Sequence, residues 1–194
     1  DPAWIARVSR ELDIPFCVAG GIRNVGTAEK ILHAGADKIS VNTPALENPD
    51  LVNALAERFG SQCVVVGIDS IRAGGEWRVR SHTGDPENMR DGGWLTLDWL
   101  KEVQARGAGE IVLNCMDSDG VREGYDVEQL RAARADCRVP LVASGGAGKP
   151  EDFVAVFREA EADAALAASV FHTDAIRIPD LKAYLQQQNI TVRT

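Results

Sequence analysis

The sequence predicts an α/β protein whose parallel strands lie on a closed barrel. Three observations carry this reading. Short β-branched runs alternate with amphipathic helical runs, most of the strand runs are continuously apolar, and one strand–Gly-Gly–helix–strand unit occurs twice. Strands alternating with helices build βαβ units and a parallel sheet. A strand that is apolar throughout, rather than at every second residue, is covered on both faces.

In chain order, a helix over residues 4–12 precedes a strand over 14–19, a helix over 25–34 and a strand over 38–42. A helix over 48–59 and a strand over 63–69 follow. The pattern resumes with a helix over 95–106, a strand over 110–114, a helix over 126–135 and a strand over 139–144. It ends with a helix over 151–159, a strand over 164–168 and a closing helix over 179–188. Gly35, Gly60 and Gly107 follow helical runs, where a left-handed cap glycine belongs. Asn42, Asp69 and Asn114 stand at strand ends, the rim on which α/β proteins place functional groups. One stretch breaks the rhythm. The segment 70–93 is long and Gly-rich, with Glu76-Trp77-Arg78-Val79-Arg80 reading as a small β excursion. Such inserts are functional lids or disordered segments, and a lid is the expectation here.

The repeat decides between an open sheet and a barrel. Ile14-Pro15-Phe16-Cys17-Val18-Ala19-Gly20-Gly21 matches Val139-Pro140-Leu141-Val142-Ala143-Ser144-Gly145-Gly146. After each comes a helix, then Ala34-Gly35-Ala36-Asp37 against Ala160-Glu161-Ala162-Asp163, and a strand closing on Asn42-Thr43 or Ala168-Ser169. The two copies, 14–45 and 139–171, are separated by four βα units, which sets them opposite one another in an eight-stranded barrel. An open doubly wound sheet offers no such symmetry.

A single Gly-Gly after a strand is ordinarily a tight turn. Its recurrence in matched context points instead to backbone N–H groups aimed at an anion, with Thr43 and Ser169 adding hydroxyls and the N–H groups of a following turn or short helix. Two opposed anion corners suit an elongated ligand with a phosphate at each end. Between them, the apolar strand Val64-Val65-Val66-Gly67-Ile68 ends in Asp69. A carboxylate there either anchors a loop or a helix N-terminus, or performs acid–base chemistry; its place favours the second. Asp119-Gly120 reads first as a turn and then as a substrate contact. His33, His82 and His172 have no Ser or Cys partner at a triad spacing. Trp4, Trp94 and Trp99 read as core or interface residues, with Trp77 a weaker ligand contact.

Composition excludes several classes. The chain has 194 residues, 45% of them hydrophobic and 26% charged, with a net charge of −8. That is one domain with a buried core rather than a disordered chain, and too acidic for a phosphate-backbone binder, so no nucleic-acid partner is expected. No apolar run approaches the roughly 20 residues of a membrane helix, so no membrane is expected either. The four cysteines, Cys17, Cys63, Cys115 and Cys137, form no CxxC pair or Cys/His cluster. Buried free thiols in a reducing cytoplasm are the expectation, with no metal and no cofactor.

Five segments closely resemble one family: Ala19-Gly20-Gly21-Ile22-Arg23; the run from Gly35 to Thr43; Arg106-Gly107-Ala108-Gly109-Glu110; the run from Ala143 to Lys149; and the run from Ala164 to His172. The chain is similar over essentially its whole length to the cyclase subunit of imidazole glycerol phosphate synthase, of histidine biosynthesis. The resemblance implies a (β/α)8 TIM barrel with twofold internal symmetry and two phosphate sites. It implies that ammonia attacks a ribulosyl carboxamide bisphosphate (PRFAR), which splits into imidazole glycerol phosphate and an aminoimidazole carboxamide ribotide (AICAR). A glutaminase subunit on the opposite barrel face supplies the ammonia. By position, Asp69 matches one of two catalytic aspartates. Gly21, Asn42 and Thr43 match one phosphate site, while Gly120, Gly145, Gly146, Ala168 and Ser169 match the other. Asn114, Asp119 and Ser144 fall at substrate contacts, Asp37 at the glutaminase interface, and Lys38 and Glu110 at a charged gate on the barrel floor. A related isomerase barrel one step earlier in the pathway, and a truncated non-catalytic scaffold, are the alternatives.

One departure is large. The family's first catalytic aspartate lies on its first strand, yet here the helix over 4–12 is followed directly by what would be the third. The expectation is a single partial barrel domain over 1–194, with about six of eight βα units and the N-terminal two missing. It would be inactive alone, and its two free sheet edges and apolar interior would invite aggregation.

Overall fold

The computed structural model describes residues 3–85 and 87–193. The chain runs α1 (Ala3–Ser9), β1 (Cys17–Ala19), α2 (Val25–His33), β2 (Lys38–Val41), α3 (Thr43–Glu47) and α4 (Asp50–Phe59). After a 3-10 turn at Ser61–Cys63 come β3 (Val64–Ala73), β4 (Glu76–Ser81), β5 (Arg90–Leu95) and α5 (Thr96–Ala105). The last part holds β6 (Glu110–Cys115), α6 (Val127–Asp136), β7 (Leu141–Ser144), α7 (Pro150–Glu159), β8 (Ala164–Leu166), α8 (Ser169–His172) and α9 (Ile178–Gln187).

Six strands pair in parallel in the order β1-β2-β3-β6-β7-β8. Among the described residues β1 and β8 do not pair with each other, so the barrel-type sheet is an open arc. The predicted class and its six βα units are both present. The free edges are three residues long each, shorter than the strands expected at 14–19 and 164–168. Proline sets one limit. Pro15 and Pro140 have no N–H for the ladder, and β1 and β7 begin just beyond them, at Cys17 and Leu141. At the other end, Ala167 and Ala168 turn away from β8 into the short α8.

The two sheet faces differ sharply. Strand alternation and register put Val18, Ile39, Val41, Val66, Ile68, Ile111 and Leu113 on one face, each at most 3% exposed. The helices cover this face with residues at helical spacing: Leu51, Val52 and Leu55 of α4, Trp99, Leu100 and Val103 of α5, Phe153 and Val156 of α7. The other face carries Cys17, Lys38, Ser40, Gly67, Asp69, Glu110, Val112, Asn114 and Val142, and most of these are only half-buried. Leu166 of β8 is 44% exposed there. The core therefore lies between sheet and helices, not inside the arc. This corrects one expectation: Cys115 and Cys137 are buried thiols, Cys63 is partly covered, and Cys17 is exposed because nothing among the described residues covers the concave face of β1. Trp99 is core and Trp94 packs against it with ring centroids 5.2 Å apart, whereas Trp4 is 43% exposed beside the free β1 edge.

The helix ends follow local chemistry. Asn24 and Asp126 accept hydrogen bonds from the backbone N–H groups of Thr27 and Gln129, at 2.8 and 2.9 Å, and so cap α2 and α6. The helix expected over 48–59 starts only at Asp50, because Pro49 stands at its N-terminal cap position; the chain ahead of it forms the separate α3.

The insert at 70–93 is mostly a β-ribbon rather than a loop. β3 continues past the barrel rim to Ala73, turns at Gly74-Gly75, and pairs antiparallel with β4, which pairs in turn with β5. Both turn glycines have positive φ, +63° and +85°, as a two-residue hairpin turn requires. The ribbon is tied down. The Arg72 N–H donates to Asp117 at 2.7 Å, the Arg72 guanidinium pairs with Glu128 at 3.0 Å, and it lies 5.5 Å from the Trp77 ring centre. Beneath it, Ser70, Thr96 and Gln129 form a buried polar cluster: the Ser70 and Thr96 hydroxyls lie 2.7 Å apart, and the Gln129 side-chain amide donates to Ser70.

Candidate functional site

Parallel strands side by side bring their C-terminal ends to one rim, and the polar residues at those ends meet there. Asp69 is central. Its Oδ1 accepts from Asn114 Nδ2 at 2.9 Å. Its Oδ2 accepts from Asn42 Nδ2 at 2.7 Å and from the Thr83 hydroxyl. One strand further on, Ser144 Oγ donates to Asn114 Oδ1 at 3.2 Å. Each bond joins neighbouring strands or their extensions, so register alone assembles the group. Turning the Asn42 amide around would set its oxygen against the carboxylate, which fixes Nδ2 toward Asp69. Asn42 Oδ1 is then buried with no hydrogen-bond partner among the described residues. A buried, unused acceptor at a rim is suited to a ligand's N–H or O–H.

On one side of Asp69 lies the first glycine corner, a cavity of about 430 Å³ lined by Gly20, Gly21, Asn42, Thr43, His82 and Thr83 among others. The Thr43 hydroxyl accepts from the His82 backbone N–H at 2.9 Å, which leaves its own proton free to point into the cavity. His82 takes a left-handed backbone, φ +57°, and its Nε2 lies 3.5 Å from Glu47. On the other side is the second corner, about 230 Å³, lined by Asn114, Asp119, Gly120, Ser144, Gly145, Gly146, Ala168 and Ser169, together with Arg122. Arg122 Nε donates to Ser169 Oγ at 3.3 Å. Thr43 and Ser169 each open a short helix in the equivalent place, α3 and α8, so the sequence repeat is a repeat in space.

The corners are not copies. Gly20 and Gly21 have φ of +93° and +73°, and a Cβ on either would meet nothing within 4 Å. Gly145 and Gly146 also have positive φ, but a Cβ on Gly145 would come 2.7 Å from the Cys115 carbonyl, and one on Gly146 would strike the Gly124 carbonyl. Backbone conformation alone demands glycine in the first pair; conformation and packing both demand it in the second.

The remaining predicted residues lie toward the strands' N-terminal ends. Lys38 Nζ and Glu110 form an ion pair on the concave face, with side chains 32% and 18% exposed. Cys17 is level with Lys38 on the adjacent strand. Its thiol pKa is pushed up to about 11, chiefly by burial of the sulfur and then by the Glu110 charge, with Lys38 acting the other way. The residue as a whole is nonetheless exposed, so crowding around the sulfur and openness of the backbone coexist there. Asp37 is exposed and accepts from the Phe16 N–H at 2.7 Å. It lines a cavity of about 510 Å³ with Leu12, Ile14 and Phe16. That cavity is at the wrong end of the strands to reach Asp69 or either glycine corner.

Sequence reasoning missed Thr83, Arg122 and the contribution of His82 to the first corner. Thr83 and His82 arrive on the ribbon, which no local pattern ties to Asp69. Arg122 had a faint signal, two residues after Asp119-Gly120. His172 lines neither corner, and Trp77 stacks on Arg72 within the ribbon.

Fold and site together define a βα-barrel protein whose working rim is at the C-terminal ends of its parallel strands. More narrowly, the chain belongs to the histidine biosynthesis protein family, whose profile matches residues 1–177. It is 64% identical over all 194 residues to imidazole glycerol phosphate synthase subunit HisF of Xanthomonas campestris pv. campestris strain B100, and covers 75% of that protein. Against the protein of the same name from Xylella fastidiosa strain M12 the figures are 64% and 76%, and against that of Stenotrophomonas maltophilia strain R551-3 they are 62% and 75%.

Proposed function

We propose that this chain carries the cyclase chemistry of imidazole glycerol phosphate synthase: ammonia and PRFAR give imidazole glycerol phosphate and AICAR. The observation that carries the reading is Asp69, held by three donors between two glycine corners of one rim, in a chain 64% identical to proteins named for that synthase. The two corners take the two phosphates. Asp69 transfers a proton during ring closure or cleavage. Asn42, Asn114, Asp119 and Ser144 contact the body of the substrate between them.

The relatives are named as subunits, so the family works in an assembly. The finer proposal is a glutaminase docked at the strands' N-terminal ends, on the face that presents Asp37, with ammonia entering past Lys38 and Glu110 in the cytoplasm. Among the described residues no helix is long and apolar enough to cross a membrane. The relatives are longer than this chain and the sheet is an open arc. Normal turnover on this reading needs the arc completed by the further segment that the relatives carry.

The test is substrate loss with an ammonium salt and the bisphosphate substrate, for the chain alone and with a chain supplying two further βα units. No turnover alone and turnover on addition supports the reading. In the completed barrel Asp69→Asn is expected to lower turnover at least about 10²-fold. Activity near that of the unmodified barrel removes Asp69 from the mechanism.

A further inference from the structure

Asp69 has four acceptor directions, two on each oxygen. Oδ2 uses both of its own, on Asn42 Nδ2 and the Thr83 hydroxyl. Oδ1 uses one, on Asn114 Nδ2. The unused direction is therefore on Oδ1. All three donors line the glycine corners, Asn42 and Thr83 the first and Asn114 the second. Thr83 is different in origin: it stands two residues beyond the end of β4, on the ribbon, and reaches back 14 residues to Asp69. The preceding residue, His82, gives its backbone N–H to Thr43 at 2.9 Å, so Thr83 is anchored from the first corner. Its branched Cβ further narrows the side chain's rotational freedom.

We propose that Thr83 is the positioning residue that stops the Asp69 carboxylate from rotating, so that Oδ1 is the oxygen exchanging a proton with substrate. This rests on the proposed function, in which Asp69 is the acid–base group. Without the Thr83 hydroxyl, Oδ2 has a vacant acceptor direction of its own, and the carboxylate can tilt about its Cβ–Cγ bond, which carries Oδ1 away from the reacting atoms. Geometry at the proton-transfer step is lost, while a side chain of the same shape at position 83 keeps the wall of the first corner and with it the hold on the substrate. The cost falls on kcat rather than KM.

The test uses the completed barrel, ammonium salt and the bisphosphate substrate, with Thr83→Val, Thr83→Ser, Asp69→Asn and the Thr83→Val/Asp69→Asn double variant. Thr83→Val keeps the shape and loses the hydroxyl. It is expected to lower kcat by about 10- to 100-fold with KM within about twofold of the unmodified value. Thr83→Ser, which keeps the hydroxyl, is expected to recover kcat to within about threefold. The double variant is expected to be no slower than Asp69→Asn alone, because the two act through one carboxylate. Three results overturn the proposal: unchanged kcat in Thr83→Val; a rise in KM alone, which makes Thr83 a substrate contact; or a further loss in the double variant. A lowered Tm in Thr83→Val that Thr83→Ser shares, with kcat falling equally in both, would assign Thr83 to stability and overturn it as well. Asp69→Asn with near-normal turnover defeats the functional reading itself, and is told apart because it needs no Thr83 variant.

Discussion

Ser70→Ala is the most informative single change for stability, because it removes the middle member of a dry polar cluster. Ser70 and Thr96 are fully buried and Gln129 is 2% exposed. Ser70 Oγ stands 2.7 Å from Thr96 Oγ1 and also receives the Gln129 amide. Alanine leaves both partners facing an apolar wall without water. A buried polar group that loses its partner costs about 1–3 kcal/mol, so the two together give about 2–6 kcal/mol of destabilisation. The sign reverses when all three are made apolar. Ser70→Ala with Thr96→Val and Gln129→Leu has no orphan, and is expected to lie within about 1 kcal/mol of the unmodified protein. Urea unfolding followed by tryptophan fluorescence measures both, since Trp99 is wholly buried on α5 three residues from Thr96. A loss below about 0.5 kcal/mol in the single variant, or a triple variant less stable than the single one, refutes the argument.

Two further predictions concern the rim and the floor. Gly146→Ala meets both a φ of +113° and the Gly124 carbonyl, whereas Gly20→Ala meets only a φ of +93°. The first is expected to cost about 3 kcal/mol or more and the second about 1–2, so urea midpoints in the opposite order contradict the packing described for the corners. For Cys17, a thiol pKa of about 11 means that iodoacetamide labelling, followed by peptide mass spectrometry, rises through pH 9 and is half-maximal only near pH 11. Glu110 opposes the thiolate and Lys38 favours it, so Glu110→Gln moves the curve to lower pH and Lys38→Met moves it to higher pH. Labelling that is half-maximal near pH 8.5, the range of an ordinary thiol, contradicts the crowding around this sulfur.

The sequence made the parallel strands legible because each is an apolar run between helices, and the fold needs nothing subtler. Strand starts were misjudged where Pro15 and Pro140 extend the apolar run without being able to extend the ladder. The ribbon was legible in part: the run Glu76–Arg80 reads as β and lies in β4. β5 reads Arg-Asp-Gly-Gly-Trp-Leu, with no alternation, and takes its form from pairing with β4. Helices of four and five residues, α8 and α3, are too short to show a period. At the site, the repeated Gly-Gly and the carboxylate that follows the apolar run of β3 could be read because both are local. Thr83 and Arg122 could not, since only tertiary folding brings them to Asp69 and Ser169. The exposure of Cys17 lay beyond reach as well: an apolar strand in sequence does not tell which of its faces the rest of the chain covers.

The order of the sheet bears on how the chain acquires its structure. Each parallel strand lies beside the parallel strand before it in sequence, and the β4–β5 ribbon is an outgrowth that leaves this order undisturbed. Helices α2, α4 and α7 pack on the strands that come after them, β2, β3 and β8, so the apolar face of each is covered when the next strand arrives rather than on closure of a ring. Contacts between units are then those of nearest neighbours, as in a stacked array, and loop closure is charged one unit at a time. Assembly can proceed along the chain one strand at a time, each new strand covering the helix that came before it.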